Sequence, residues 1–279
     1  MRFSSIADHF DANQCDLVSR WKAVGQWFVE RGGVGLDPYQ KVVTGPVGPN
    51  VEGLLRDGTP IAGVNFASQD YLSLACHPAI VQAANQAIER FGVHSAGSAA
   101  LMGNTSLSVA LEARIASHLG YKFCTLFPIG WAAGYGVIKT LVRETDHVVI
   151  DILAHACLQE GARAATANVS RFAHLSTAAV GKRLKRIREN DPRAGILVVT
   201  ETLFSMDSDT PDIAALQALC RDYGATLLVD CAHDLGALGE RGRGVFQAQD
   251  MVGKVDILMG HSPKHSPPRA GLSPATRKA

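Results

Sequence analysis

The residues that could do chemistry in this sequence sit directly behind short apolar runs. The segment GATLLVDCAHDLG places Asp230 at the last position of one such run and His233 three residues later. A carboxylate there is costly unless it meets a cation or several hydrogen-bond donors. It either caps the following turn or pairs with a protonated pyridine nitrogen, the arrangement that turns a pyridine-ring cofactor into an electron sink. VVTETLFSMDSD sets Glu201, Ser205, Asp207 and Asp209 in one loop, a solvated acidic turn or a possible metal loop. In DILAHACL, His155 follows a run ending near Ile150, as a satisfied structural histidine or as a ring stacked on a cofactor face. LFPIGWAAG passes from strand to helix through Gly130, where the first backbone N–H groups form a natural phosphate cradle. Lys264 comes shortly after Met259 and Gly260. A lysine just past a strand can form a Schiff base when its surroundings lower its pKa, and is otherwise simply solvated.

Such residues need a scaffold that gathers strand ends. From about Gly92 onward, short apolar runs alternate with helical patterns, the rhythm of an α/β domain with a doubly wound, mainly parallel sheet. Strands are expected over 123–127, 147–150, 196–200, 226–230 and 256–259, and helices over 106–119, 132–143, 177–188 and 213–223. Gly120 should stop the first of these helices. In doubly wound sheets, ligands lie outside the carboxyl ends of the strands. The first sixty residues differ: 14–31 reads as an amphipathic helix, followed by a Gly/Pro-rich arm.

Composition narrows the partners. With 279 residues, 47% hydrophobic and 19% charged, the chain can build one large core or two small ones. A net charge of +1 gives no broad electrostatic case for nucleic acid or an anionic membrane. Small molecules are the expected partners. The six cysteines are scattered without a CxxC pair and no signal-peptide pattern precedes them, which suits a reducing cytoplasm. No apolar run approaches the roughly 20 residues needed to span a bilayer.

Taken in order, these motifs resemble the α-oxoamine synthases, enzymes dependent on pyridoxal 5'-phosphate (PLP) with the aspartate-aminotransferase fold, fold type I. The resemblance covers roughly 65–260. NFASQDYLSLACHP is similar to the family's entry segment, HSAGSAALMGNTSLSVALEARIASHLG to its glycine-rich stretch and helix, ETLFSMDSD to its EGVFSMDGD loop, and VDCAHDLGALGERGRG to VDDAHGxGxxGxxGRG. The last two are specific. The resemblance implies that Asp230 pairs with the pyridine nitrogen, His233 reaches the phenolic oxygen and His155 lies over the ring. It further implies that Ser205 contacts the cofactor or substrate region, Gly130 and Trp131 hold the phosphate through their backbone, and Lys264 is the Schiff-base lysine. The reaction so implied condenses an amino acid with an acyl-CoA in a site at a homodimer interface. Transamination on the same fold and a remnant without turnover are the alternatives. Cys231 replaces the second Asp of the family's DDAH, Asp234 replaces the following Gly, and Ala99 stands where many members carry Arg.

The family continues T-[FL]-S-K-[TA]-[LF]-x-S-x-G-G after its last strand, and of that pattern only Lys264 and Gly271 agree within 261–271. Back-translation with one nucleotide inserted before the His261 codon permits Thr, Leu or Phe, Ser, Lys, Thr or Ala, Leu or Phe, Ala, Ser, Thr, Gly, Gly. The expectation is therefore an N-terminal helix and arm over 1–60, an incomplete PLP-binding large domain over 61–260 and an out-of-frame tail over 261–279. On that reading the C-terminal small domain is missing, and the sheet loses strands beside its centre.

Overall fold

The computed structural model describes residues 4–35, 39, 41–262 and 270–272, with Ser262 and Ala270–Leu272 described by backbone alone. The chain divides into two compact units, Met1–Ser68 and Gln69–Ala279. In the first, helix α1 spans Lys22–Gly33 and buries Val24 and Trp27 on one face. The indole N–H of Trp27 donates to Ser4 Oγ at 2.9 Å. This helix starts eight residues later than its periodicity predicts. The Asp16 carboxylate accepts the Ser19 N–H at 2.6 Å, a local side-chain bond that competes with helical pairing, and the 3-10 turn Ser19–Trp21 follows. The expected arm is in part a sheet: β1 (Val42–Val43), β2 (Asn50–Leu54) and β3 (Pro60–Val64) form an antiparallel meander.

The second unit opens with α2 (Pro78–Phe91) and α3 (Ser106–Leu119). The Thr105 side chain accepts the Ser108 N–H to start α3, and Gly120 stops it in the left-handed region at φ 75°, where a side chain would be strained. Then come β4 (Leu126–Phe127), α4 (Gly130–Leu141), β5 (His147–Asp151), α5 (Ala156–Ala165), β6 (Val169–Phe172) and α6 (Thr177–Asn190). After them lie β7 (Ile196–Glu201), α7 (Ile213–Asp222), β8 (Thr226–Asp230), β9 (Ile257–Ser262) and β10 (Ala270–Leu272). The sheet order is β4-β10-β9-β8-β7-β5-β6. From β9 to β6 every pairing is parallel, the mainly parallel α/β sheet expected.

Two strands depart from expectation. Residues 123–127 yield only the two-residue β4, and Phe123 is 61% exposed. Asp256 stands before β9 because its carboxylate accepts the Leu227 N–H and the Gln217 amide, both at 2.9 Å. The patternless tail also contributes: β10 lies antiparallel between β9 and β4, Gly271 opposite both His261 and Phe127. Ladder bonds use backbone groups alone, so an open edge can recruit a segment that has no apolar alternation.

Strand periodicity sorts the sheet into two layers. Val148, Ile150, Leu197, Val199, Leu228, Ile257 and Met259 join the core with α4 and α5. Val149, Val198, Leu227, Val229 and Leu258 join the core with α6 and α7. By the same alternation Glu201 and Asp230, paired in register, fall on the α4/α5 side, and Asp151 falls on the other. Helices α4 and α5 approach closely because Gly134 has no side chain: a Cβ there would meet Cys157 Sγ at 2.5 Å and Met259 Cε at 2.7 Å.

Candidate active site

Three strand ends and two helix starts converge on the α4/α5 side. Asp230, the last residue of β8, is 4% exposed, and its Oδ1 accepts the Ala232 N–H at 2.9 Å. Its in-register neighbour Glu201 is 3% exposed and accepts the His155 backbone N–H at 2.7 Å. Two carboxylates thus end adjacent strands on one face. His155 is the N-cap of α5 and accepts the Cys157 N–H on Nδ1 at 3.3 Å, with Cys157 Sγ 3.0 Å away. Its ring meets Trp131 edge-on, centroids 5.7 Å apart. The close α4/α5 approach at Gly134 holds these two rings together.

Burial pushes the Cys157 thiol up to about 12, with the charges of Asp230 and Glu201 adding to the shift. A protonated thiol is a poor nucleophile. Iodoacetamide at pH 8 should therefore label the exposed Cys15 and Cys76 and leave Cys157 untouched, as read by peptide mass spectrometry. Rapid labelling of Cys157 would show an open site without this local field.

Gly130 is the buried first residue of α4, and the helix start carries no side-chain cap. Helices α2, α3, α5, α6 and α7 each have one. A Cβ on Gly130 would lie 2.1 Å from His261 Cδ2, so the imidazole at the end of β9 packs against this helix start. His233, in the turn after β8, has Nδ1 3.3 Å from Tyr71 Oη. That turn is anchored by Asp234, whose carboxylate accepts Thr202 Oγ1–H and the Val245 N–H, both at 2.6 Å. Burial raises the Asp234 pKa, partly countered by those two bonds. The departure from the family's glycine is thus an internal strut.

The structure brings Gly130, Trp131, His155 and Asp230 to one end of the sheet, with His233 in the adjoining turn. Ser205 stands apart, exposed in the loop after β7, and among the described residues no hydrogen bond ties it to the others. Lys264 lies outside the described residues. The acidic loop reads differently from its sequence: Glu201 is the buried end of β7, and Asp209 meets His174. Among the described residues no group of three or more His, Cys, Asp or Glu side chains is arranged for a metal ion. Tyr71 and His261 join the neighbourhood of the site, and Glu201 enters it as a buried strand end and not as part of an acidic turn or metal loop. Glu201 has a signal as a polar residue closing the run that begins at Ile196, but its register with Asp230 is a product of the sheet; Tyr71 lies in the entry-like segment NFASQDYLSLACHP, and His261 has no signal.

The family model for aminotransferase class I and II matches residues 61–260. The chain belongs to that family. Within it, the 8-amino-7-oxononanoate synthase of Pectobacterium atrosepticum is 42% identical over 196 residues, 70% of this chain and 49% of that protein. That of Geotalea daltonii is 38% identical over 207 residues, 74% of this chain and 52% of that protein. The chain thus spans about half the length of the curated relatives it matches. A serine palmitoyltransferase from S. paucimobilis, solved with a PLP–myriocin aldimine bound, superposes with a TM-score of 0.83 at 27% identity over 94% of this chain and 64% of that one. The aminotransferase class I and II chain described here accordingly has the large-domain fold of the PLP-dependent fold type I enzymes.

Proposed function

We propose that this chain is the cofactor-binding part of a PLP-dependent C-acyltransferase that condenses an amino acid with an acyl-CoA and works as a homodimer in the cytoplasm. The observation that carries the reading is the pair of buried carboxylates, Glu201 and Asp230, ending adjacent strands beside the Trp131 and His155 rings. The residues present fit the cofactor. A carboxylate 4% exposed suits a protonated ring nitrogen, an uncapped helix start suits a phosphate, and a thiol held protonated beside them does not compete as a nucleophile. When bound, PLP supplies the electron sink for the carbon next to the amino group.

In this reading Asp230 holds the proton on the ring nitrogen. His155, fixed by the Glu201 carboxylate and the start of α5, covers one ring face and excludes water from it. The Gly130 and Trp131 amides hold the phosphate, His233 donates toward the phenolic oxygen, and Lys264 supplies the anchoring amine. Ser205 borders the substrate region. The names of the relatives at 42% and 38% identity support an acyl-transfer reaction, and no disulfide joins the six cysteines, as a reducing compartment requires. Among the described residues no helix is long and apolar enough to cross a membrane.

Incubation of the purified chain with PLP should produce a visible chromophore, and borohydride should fix the label on Lys264. Absence of label on any lysine would sink the reading. Release of CoA from an acyl-CoA plus an amino acid separates acyl transfer from transamination, which releases an oxo acid instead.

A second reading concerns 261–279, and what favours it is that the family match stops at Gly260, the residue before the proposed change of frame. The coding DNA, sequenced through codon 261, should open a longer family-like frame when one base is restored. If it opens none, the tail is a genuine variation.

A further inference from the structure

We propose that His174 is a positioning residue that latches the loop 204–209 to the end of β5 while both its ring nitrogens carry protons, and so sets where Ser205 stands. The consequence for Ser205 rests on the role proposed for it above; the latch does not. Asp151, the fully buried last residue of β5, faces the layer opposite Glu201 and Asp230. Its Oδ1 lies 2.9 Å from His174 Nδ1 and accepts the Leu153 N–H, and its Oδ2 accepts the Leu175 N–H. The other ring nitrogen, Nε2, stands 3.1 Å from both carboxylate oxygens of Asp209.

Both ends of the loop therefore rest on one imidazole. Asp209 meets its Nε2, and the Phe204 ring meets it edge-on at 4.4 Å. The loop closes on itself through Phe204 N–H to Asp209 O at 3.0 Å and Ser208 N–H to Phe204 O at 2.9 Å. Leu175 and Ser208, on either side of the contact, have φ of 60° and 56°. Non-glycine residues keep that conformation only where their surroundings impose it. The tip, 205–208, is exposed.

Two carboxylates facing two ring nitrogens decide the protonation state. A neutral imidazole has a single N–H, so one carboxylate would face a lone pair; only the imidazolium satisfies both. The charged groups that face the ring are Asp151 from β5 and Asp209 from the loop. The start of α6 two residues on, capped by Ser176, presents a helix N-terminus that opposes protonation. Burial also works against the charge, but the bonds and charges of Asp151 and then Asp209 outweigh it, so the pKa stands above the ordinary histidine value. For a raised histidine pKa the stabilisation is fully present below the unfolded value and is lost as pH rises through the folded one. The last proton stays with Asp151, which has no access to water, and Asp209, with a side chain 36% exposed, lets go.

Hydrogen exchange of the Phe204 and Ser208 amides in the full chain, corrected for intrinsic rates, tests the latch alongside NMR titration of the His174 ring. Protection should fall roughly tenfold as pH passes through that titration. Asp209→Asn should bring the low-pH protection down to the high-pH value and erase the pH dependence, without disturbing the core around Asp151. His174→Gln should do the same if it folds. Protection that stays level across the His174 titration, or an Asp209→Asn chain as protected as the wild type, would overturn the proposal. These readouts need neither PLP nor turnover, so they separate the latch from the proposed acyl transfer.

Discussion

Replacing Asp230 with alanine should, on the pairing proposed for it, weaken the affinity of the chain for PLP by on the order of 10²–10³-fold, the penalty for leaving one member of a buried ion pair alone. At 4% exposure bulk solvent does little to compensate the ring nitrogen once the carboxylate is gone. Asp230→Asn is the sharper variant, because it keeps the volume and can still accept the Ala232 N–H while removing the charge. If charge pairing holds the ring nitrogen, the asparagine variant binds almost as poorly as the alanine one. Absorbance titration with PLP measures both. Asparagine binding at wild-type strength would mean that shape and phosphate contacts carry the affinity, and the assignment of Asp230 would fall. Melting of the unloaded variants provides the control for folding.

Phe246→Ala should cost about 3–5 kcal/mol of stability, the usual range for removing a buried aromatic side chain. Phe246 is fully buried in the core that contains Ile213, Leu216 and Leu258. Its ring also fills the space beside Gly244, where a Cβ would lie 2.8 Å from Phe246 Cε1. The preceding Val245 N–H is the one held by Asp234, so the loss should loosen the turn bearing His233 as well as the core. Urea unfolding gives the first effect, and exchange of the Val245 amide the second. A stability loss below about 1 kcal/mol would mean that the site collapses around the vacancy.

What could be read beforehand follows from how strongly each segment declares itself. The helix at 106–119 and the strand at 226–230 have the bounds expected, because an N-cap threonine, a stop glycine and an unbroken apolar run are local signals. Asp230 and His155 stood out as polar residues directly behind such runs. Helix α2 is legible by its period, with Ile80, Ala84, Ala87 and Ile88 on one face and Gln82, Asn85 and Glu89 opposite, although none of its residues is buried. Helix α5 likewise has Leu158, Ala162 and Ala165 on one face and Glu160 and Arg163 on the other, but it is short and most of its buried residues are small: Cys157, Gly161, Ala162 and Ala165. The contacts of His174 were out of reach because they join β5, the connection before α6 and the loop after β7. Such contacts are long-range products of the sheet order.

The two-layer alternation of the sheet has a further consequence. Glu201 and Asp230 face α4 and α5, while Asp151 faces α6 and α7, only because each occupies an odd or even place along its strand. Inserting or deleting a single residue within β7 or β8 would hand either carboxylate to the wrong layer and turn the whole apolar set with it. Length polymorphism in homologous chains should therefore be nearly absent inside the two strands, and equally so in the loop 204–209, whose internal bonds and contact with His174 fix its length.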